Sequence, residues 1–115
     1  MAKMNYNMLV RDNYPNILER TGKKKCTITT VEEADFLDKL SDKLEETIES
    51  FLAEYHDEHD EKAINFLADI ADVMDNIVHE FGLTDEAFLR IKEARHAMYG
   101  SFDKRILLES IEDVD

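Results

Sequence analysis

Cysteine is nearly absent. The single Cys26 has no partner for an intramolecular disulfide, so packing alone must hold the fold, and a reducing compartment suits it. One proline and three glycines are too few for a chain of many short strands and tight turns. The wealth of Leu, Ile, Ala, Glu and Lys points to helices instead. No run of about 18 apolar residues occurs, which excludes a bilayer-spanning helix of ordinary length. The opening Met-Ala-Lys-Met-Asn-Tyr-Asn lacks a basic region followed by an apolar one, so no secretory signal is expected and the cytoplasm is the expected location. Basic residues are also scarce, 14 against 27 acidic for a net charge of −13. Nucleic-acid binding needs clustered Lys and Arg to neutralise phosphates, and the balance here argues against it.

What is present reads as one helical domain over residues 1–115, with no repeat, linker or internal boundary. Residues 4–11 have no helical period and form an extended arm. Asp12 or Asn13 can cap a short helix with Pro15 in its first turn and Gly22 at its end. Cys26–Thr30 suggests a brief strand, an ornament on a helical domain. Thr30-Val31-Glu32-Glu33 matches a capping box that opens a second helix. Leu37, Leu40, Leu44, Ile48, Phe51 and Tyr55 then recur at steps of three and four, one face of an amphipathic helix. The polar run Tyr55–Asp60 connects it to a third helix, Glu61 to Phe81. That helix is apolar around most of its circumference and is expected to be buried. Gly82 ends it, Thr84 opens a fourth helix that runs to Gly100, and Phe102, Ile106, Leu107 and Leu108 in the tail are expected to pack. The expected fold is all-α, an antiparallel helical bundle of four main helices plus a short N-terminal one. Its apolar faces exceed what one short chain can cover, so a homodimer or homotetramer is expected, with the arm and tail crossing to a neighbour.

On the third helix Asn65, Asp69, Asp72 and Asn76 fall at steps of four, three and four. They draw one polar stripe down an apolar cylinder, and buried carboxylates require cations, water or hydrogen-bond partners. On the second helix Glu45, Glu46 and Glu49 lie beside the apolar face. With the two helices antiparallel, these glutamates can face Asp69 and Asp72 across a groove. Oxygen donors from facing helices suit a hard cation such as Mg²⁺. An ordinary solvated flank of glutamates fits the same spacing, and spacing alone does not choose between them.

Leu44-Glu45-Glu46-Thr47-Ile48-Glu49 followed by Leu67-Ala68-Asp69-Ile70-Ala71-Asp72-Val73 resembles the E-E-x-x-E … E-x-x-D signature of the MazG-like, all-α nucleotide pyrophosphohydrolases. That superfamily includes the phosphoribosyl-ATP pyrophosphohydrolases and the dimeric dUTPases. Tyr6-Asn7-Met8-Leu9-Val10-Arg11-Asp12-Asn13-Tyr14-Pro15 is similar to the opening Y-N-K-L-V-R-D-K-I-P of a narrower group. Tyr99-Gly100-Ser101-Phe102-Asp103-Lys104-Arg105-Ile106 is similar to its closing R-G-G-F-x-K-R-I. The resemblance implies metal-dependent cleavage between the α- and β-phosphates of a nucleoside triphosphate, giving the monophosphate and pyrophosphate. It implies Glu46, Glu49, Asp69 and Asp72 as Mg²⁺ ligands, with Mn²⁺ as a possible substitute, and Glu45 either as a residue supporting those ligands from behind or as the one orienting the attacking water. Catalytic duty would thus fall on Glu45, Glu46 and Glu49.

Asn76, Lys92, Arg95, Lys104, Arg105 and Arg11 are the candidates for substrate contact, Arg being suited to forked contacts with phosphate. Lys92 alone fits a routine surface ion pair equally well, and Arg11 fits an anchor for the arm. The chain departs from the family pattern at Asp69, one methylene shorter than the usual glutamate. Met8, Asn13 and Tyr99 also replace basic residues, and Ser101 replaces a glycine. Two alternatives stand beside a house-cleaning enzyme: a non-catalytic acidic interaction module, and a phosphoribosyl-ATP- or dUTP-specific enzyme. His56 and His59 read as solvated, His79 and His96 as lone helical histidines, and Cys26 as inert.

Overall fold

Gly, Pro and Thr at the helix ends, rather than any sheet, punctuate this chain. The computed structural model describes residues 3–114, and all its regular elements are helices: α1 (Tyr14–Thr21), α2 (Glu33–His56), α3 (Asp60–Glu80) and α4 (Asp85–Tyr99). The all-α expectation holds. The fifth helix does not form, because beyond Gly100 the described residues make only a turn in which the Arg105 N–H donates to the Phe102 carbonyl at 3.1 Å. Among the described residues there is no strand either. Cys26–Thr30 has no neighbouring strand to pair with, and the Cys26 N–H donates to Glu19 Oε1 at 3.2 Å instead. Among the described residues no helix is long and apolar enough to cross a membrane.

Most helix ends follow local chemistry. Asn13 caps α1 by position, and Pro15 sits in its first turn, where the missing N–H has no helical acceptor to lose. The capping box at Thr30 is not formed. Glu32 takes the N-cap position in extended backbone and α2 begins only at Glu33, since the β-branched Thr29, Thr30 and Val31 favour extended chain. The α3 exit is a Schellman motif: Gly82, at φ +81°, donates to the His79 carbonyl at 2.9 Å, and Leu83 donates to the Val78 carbonyl at 3.3 Å. Immediately afterwards Thr84 caps α4 by accepting the Ala87 N–H at 3.1 Å.

Extensive packing joins only α2 to α3. Three residues, Asp57–His59, connect them, which makes them antiparallel neighbours. Glu58 turns the chain at φ +60°, and His59 Nδ1 lies 2.7 Å from Glu54 Oε2. The seam between the helices holds Leu40, Ala63 and Val78, with Thr47, whose hydroxyl donates to the Lys43 carbonyl at 2.7 Å. Helix α4 meets α3 only slightly.

The expectation that α3 is buried is corrected. Only α2 packs extensively on it, so Ile64 (62 % exposed), Leu67, Met74 and Phe81 face outward. The tail residues expected to pack do not: Phe102, Ile106, Leu107 and Leu108 are all exposed. The radius of gyration is 19.2 Å, against about 13 Å for a compact domain of this length.

Candidate metal centre

Helical phase sets the site. On α3, Asp69 and Asp72 are one turn apart on the side away from Ile64 and Met74, and on α2 Glu46 lies at the edge of the seam next to buried Thr47. The two helices thus bring Glu46 from one and Asp69 with Asp72 from the other to the same side of the hairpin. The N-terminal arm lies across them.

The arm makes its contacts at two points. The Arg11 guanidinium spans both aspartates, with Nη2 at 2.5 Å from Asp69 Oδ1 and Nη1 at 2.8 Å from Asp72 Oδ2. The Tyr6 hydroxyl donates to Glu46 Oε1 at 2.6 Å. Lys43, one turn before Glu46, reaches Glu46 Oε2 at 3.4 Å and the Tyr6 hydroxyl at 3.5 Å, with its ammonium 5.8 Å from the Tyr6 ring centre. Between the two anchors Met8, Leu9 and Val10 are partly buried. Asn7 takes the left-handed conformation at φ +54°, one that asparagine tolerates better than most residues.

Electrostatics follow these contacts. Burial pushes the Tyr6 phenol up to about 12, helped by its hydrogen bond to Glu46 and by that carboxylate's charge. The phenol therefore stays a donor through the physiological range. Hydrogen bonds to Asp69 and then Asp72 raise the Arg11 guanidinium still further above its ordinary value. The fork is a permanent cation.

The remaining sequence candidates are distributed differently. Glu45 and Glu49 are exposed, and the phase of Glu49 turns it to the outer side of α2, away from the Leu40–Thr47 seam. Among the described residues no group of three or more His, Cys, Asp or Glu side chains is close enough to hold a metal together. The carboxylates come as a spanned pair and a separate glutamate. Asn76 donates through Nδ2 to its own helix at the Asp72 carbonyl, 2.9 Å away. Arg95 lies over the Tyr99 ring at 5.1 Å. No hydrogen bond or ion pair among the described residues joins Lys92, Arg95, Lys104 or Arg105 to the carboxylate groove. Two histidines gain acidic partners that sequence did not reveal, His59 with Glu54 and His79 with Asp85, the latter at 2.7 Å.

Sequence reasoning missed the roles of Tyr6 and Lys43. Lys43 was legible as an i, i+3 partner of Glu46. Tyr6 had a subtler signal: the five residue steps of extended chain from it to Arg11 span about 16 Å, more than the roughly 8–10 Å between packed helix axes. An arm whose Arg11 sits on α3 can therefore reach α2.

Carboxylates are hard oxygen donors, of the kind Mg²⁺ and Mn²⁺ take in preference to softer ions, and among the described residues one cation brings only Asp69 and Asp72 together. The guanidinium between Asp69 and Asp72 is a stand-in cation that marks where positive charge is favoured. Compared with models of known protein families, with curated proteins and with solved structures, the chain matches none.

Proposed function

We propose that this chain is a Mg²⁺-dependent nucleoside triphosphate pyrophosphohydrolase of the MazG-like kind, with its helical bundle completed between copies in a homodimer or homotetramer. One observation carries the proposal. Asp69 and Asp72 on α3 draw a cation from the chain itself at 2.5 and 2.8 Å. The resemblance of the two acidic motifs and the two terminal motifs supports it independently.

In this enzyme Glu46, Glu49, Asp69 and Asp72 would hold the metal, with Mn²⁺ able to replace Mg²⁺. Bound there, the ion supplies charge neutralisation on the phosphate oxygens, which a net charge of −13 would otherwise repel. Glu45 orients a water for in-line attack on the α-phosphorus and takes up its proton. The α–β phosphoanhydride bond breaks, and its electron pair leaves with pyrophosphate. Asn76 and the cations Lys92, Arg95, Lys104, Arg105 and Arg11 hold the nucleotide. Assembly is the step that would bring α4 and the tail to the groove. The accessible surface of 10894 Å² supports assembly, since a folded monomer of this length exposes roughly 6,500 Å². The proposed location is the cytoplasm, in keeping with the free Cys26.

A second role follows from the same contact. If Arg11 is a permanent occupant of the aspartate pair, the chain is a non-catalytic acidic helical module. A pyrophosphate-release assay over canonical and modified nucleoside triphosphates, with and without Mg²⁺, separates the two. Metal-dependent monophosphate and pyrophosphate, reduced at least a hundredfold by Glu49→Gln, is the expected outcome. Silence across the panel, with no metal-induced rise in melting temperature, leaves the interaction module.

A further inference from the structure

A strap of the chain's own sequence lies over the candidate centre, and its two polar anchors touch three of the four proposed ligands. Arg11 uses two nitrogens of one rigid fork on Asp69 and Asp72, and Tyr6 fixes Glu46. The fork is planar and carries a single charge. An ion taking oxygens of both aspartates at about 2.0–2.1 Å must draw those oxygens together, into the space the guanidinium fills. The two cations exclude each other there.

We infer that the N-terminal arm is a self-supplied counter-cation for this centre, so that metal loading and arm release are one coupled event; this rests on the metal-binding role proposed above. By linkage, the factor by which the closed arm weakens metal binding equals the factor by which metal weakens arm closure. The coupling is modest by construction. Arg11 is 60 % exposed, and Asp69 and Asp72 are 37 % and 57 % exposed, so both ion pairs are screened by water. Two pairs of this kind set a factor of about five. That size suits a strap which opens readily. Asn7 supplies the bend between the anchors, and Met8, Leu9 and Val10 supply the apolar contact that returns the arm to the groove when the metal leaves.

The test uses Mg²⁺ alone, without nucleotide, on the full chain. Calorimetric titration is run on wild type, Arg11→Gln, Arg11→Lys and Tyr6→Phe, with circular dichroism confirming that each variant keeps its helices. Hydrogen exchange of residues 4–14 is followed with and without the ion. Arg11→Gln is expected to bind Mg²⁺ about fivefold more tightly than wild type. Arg11→Lys, which keeps the charge but loses the fork, should fall between them. Exchange in the wild-type arm should accelerate when Mg²⁺ is added. Equal or weaker binding by Arg11→Gln, or an arm that becomes better protected with Mg²⁺, overturns the inference while leaving the metal centre standing. If neither wild type nor Arg11→Gln binds the ion, the metal centre itself is refuted and the competition falls with it.

Discussion

Ile64→Lys tests whether a second copy covers α3. Ile64, Leu67, Ala71 and Met74 follow one another at steps of three and four along α3, and all four are exposed in the single chain. Complete burial of an isoleucine is worth about 1.5–3 kcal/mol. With 62 % of Ile64 still open to water, about 1–2 kcal/mol per copy remains to be gained. A two-fold interface counts that contribution twice, about 2–4 kcal/mol, or about 30- to 800-fold in the dimer dissociation constant. Lysine adds the cost of burying an ammonium, so the loss should be at least this large. Lysine is also a good helix former, and α3 itself should not be weakened.

Sedimentation velocity reads the assembly directly, and thermal melts over a hundredfold range of concentration read it through mass action. Wild type should sediment above the monomer, with a melting temperature that rises with concentration. Ile64→Lys should sediment as a monomer, with a lower and concentration-independent melt. Lys62→Ala, on a different side of the same helix, should behave as wild type. A wild-type chain that remains monomeric at tens of micromolar, with a sharp melt unmoved by dilution, would refute the reasoning and require the exposed stripe to be solvated.

Two further predictions address the single chain. Leu40 is 5 % exposed in the α2–α3 seam, and Leu40→Ala should cost about 2–4 kcal/mol, measured by urea denaturation at fixed protein concentration. Tyr6 gives a pH dependence in the alkaline range. Its phenol holds its proton to about 12 when folded, against 10.0 in the free side chain, so the folded state binds more protons between those values. The contribution of the contact is therefore complete below pH 10 and is lost as pH rises towards 12. Because Tyr6 is about half exposed, the loss should be no more than about 1 kcal/mol after discounting for solvent. Tyrosinate absorbance should show one late-titrating phenol that disappears in Tyr6→Phe, and a wild-type titration without that late phase would contradict it.

Legibility in the sequence tracked how local each determinant is. Gly82 and Thr84 mark the end of α3 and the start of α4 within four residues, and the Schellman and N-cap bonds form there. The Thr30 box failed although its residues matched, because the same β-branched run that suggested a strand also resists the first helical turn. With no second strand to pair with, that run became neither strand nor helix. The stripe of Asp69 and Asp72 was legible from phase alone. The ion that meets it was not: Arg11 is 58 residues from Asp69 in sequence, and its orientation depends on where the arm crosses the hairpin.

Helix α3 shows how a correct pattern can carry a conclusion about more than one chain. Its apolar residues occupy more of the circumference than α2 covers, so a periodicity that implies burial is met on one flank only. The uncovered stripe through Ile64, Leu67, Ala71 and Met74 and the carboxylates Asp69 and Asp72 lie on roughly opposite sides of the helix, from the phase of 3.6 residues per turn. A partner seated on the first need not touch the second. In the proposed assembly, mutations of the stripe should change association without disturbing the Arg11 contacts, while the outward-facing Glu49 and the cations of α4 and the tail would depend on where a second copy brings its own side chains. In one chain the aspartate pair and its strap are formed, and the remaining candidates in the same motifs are not gathered around them.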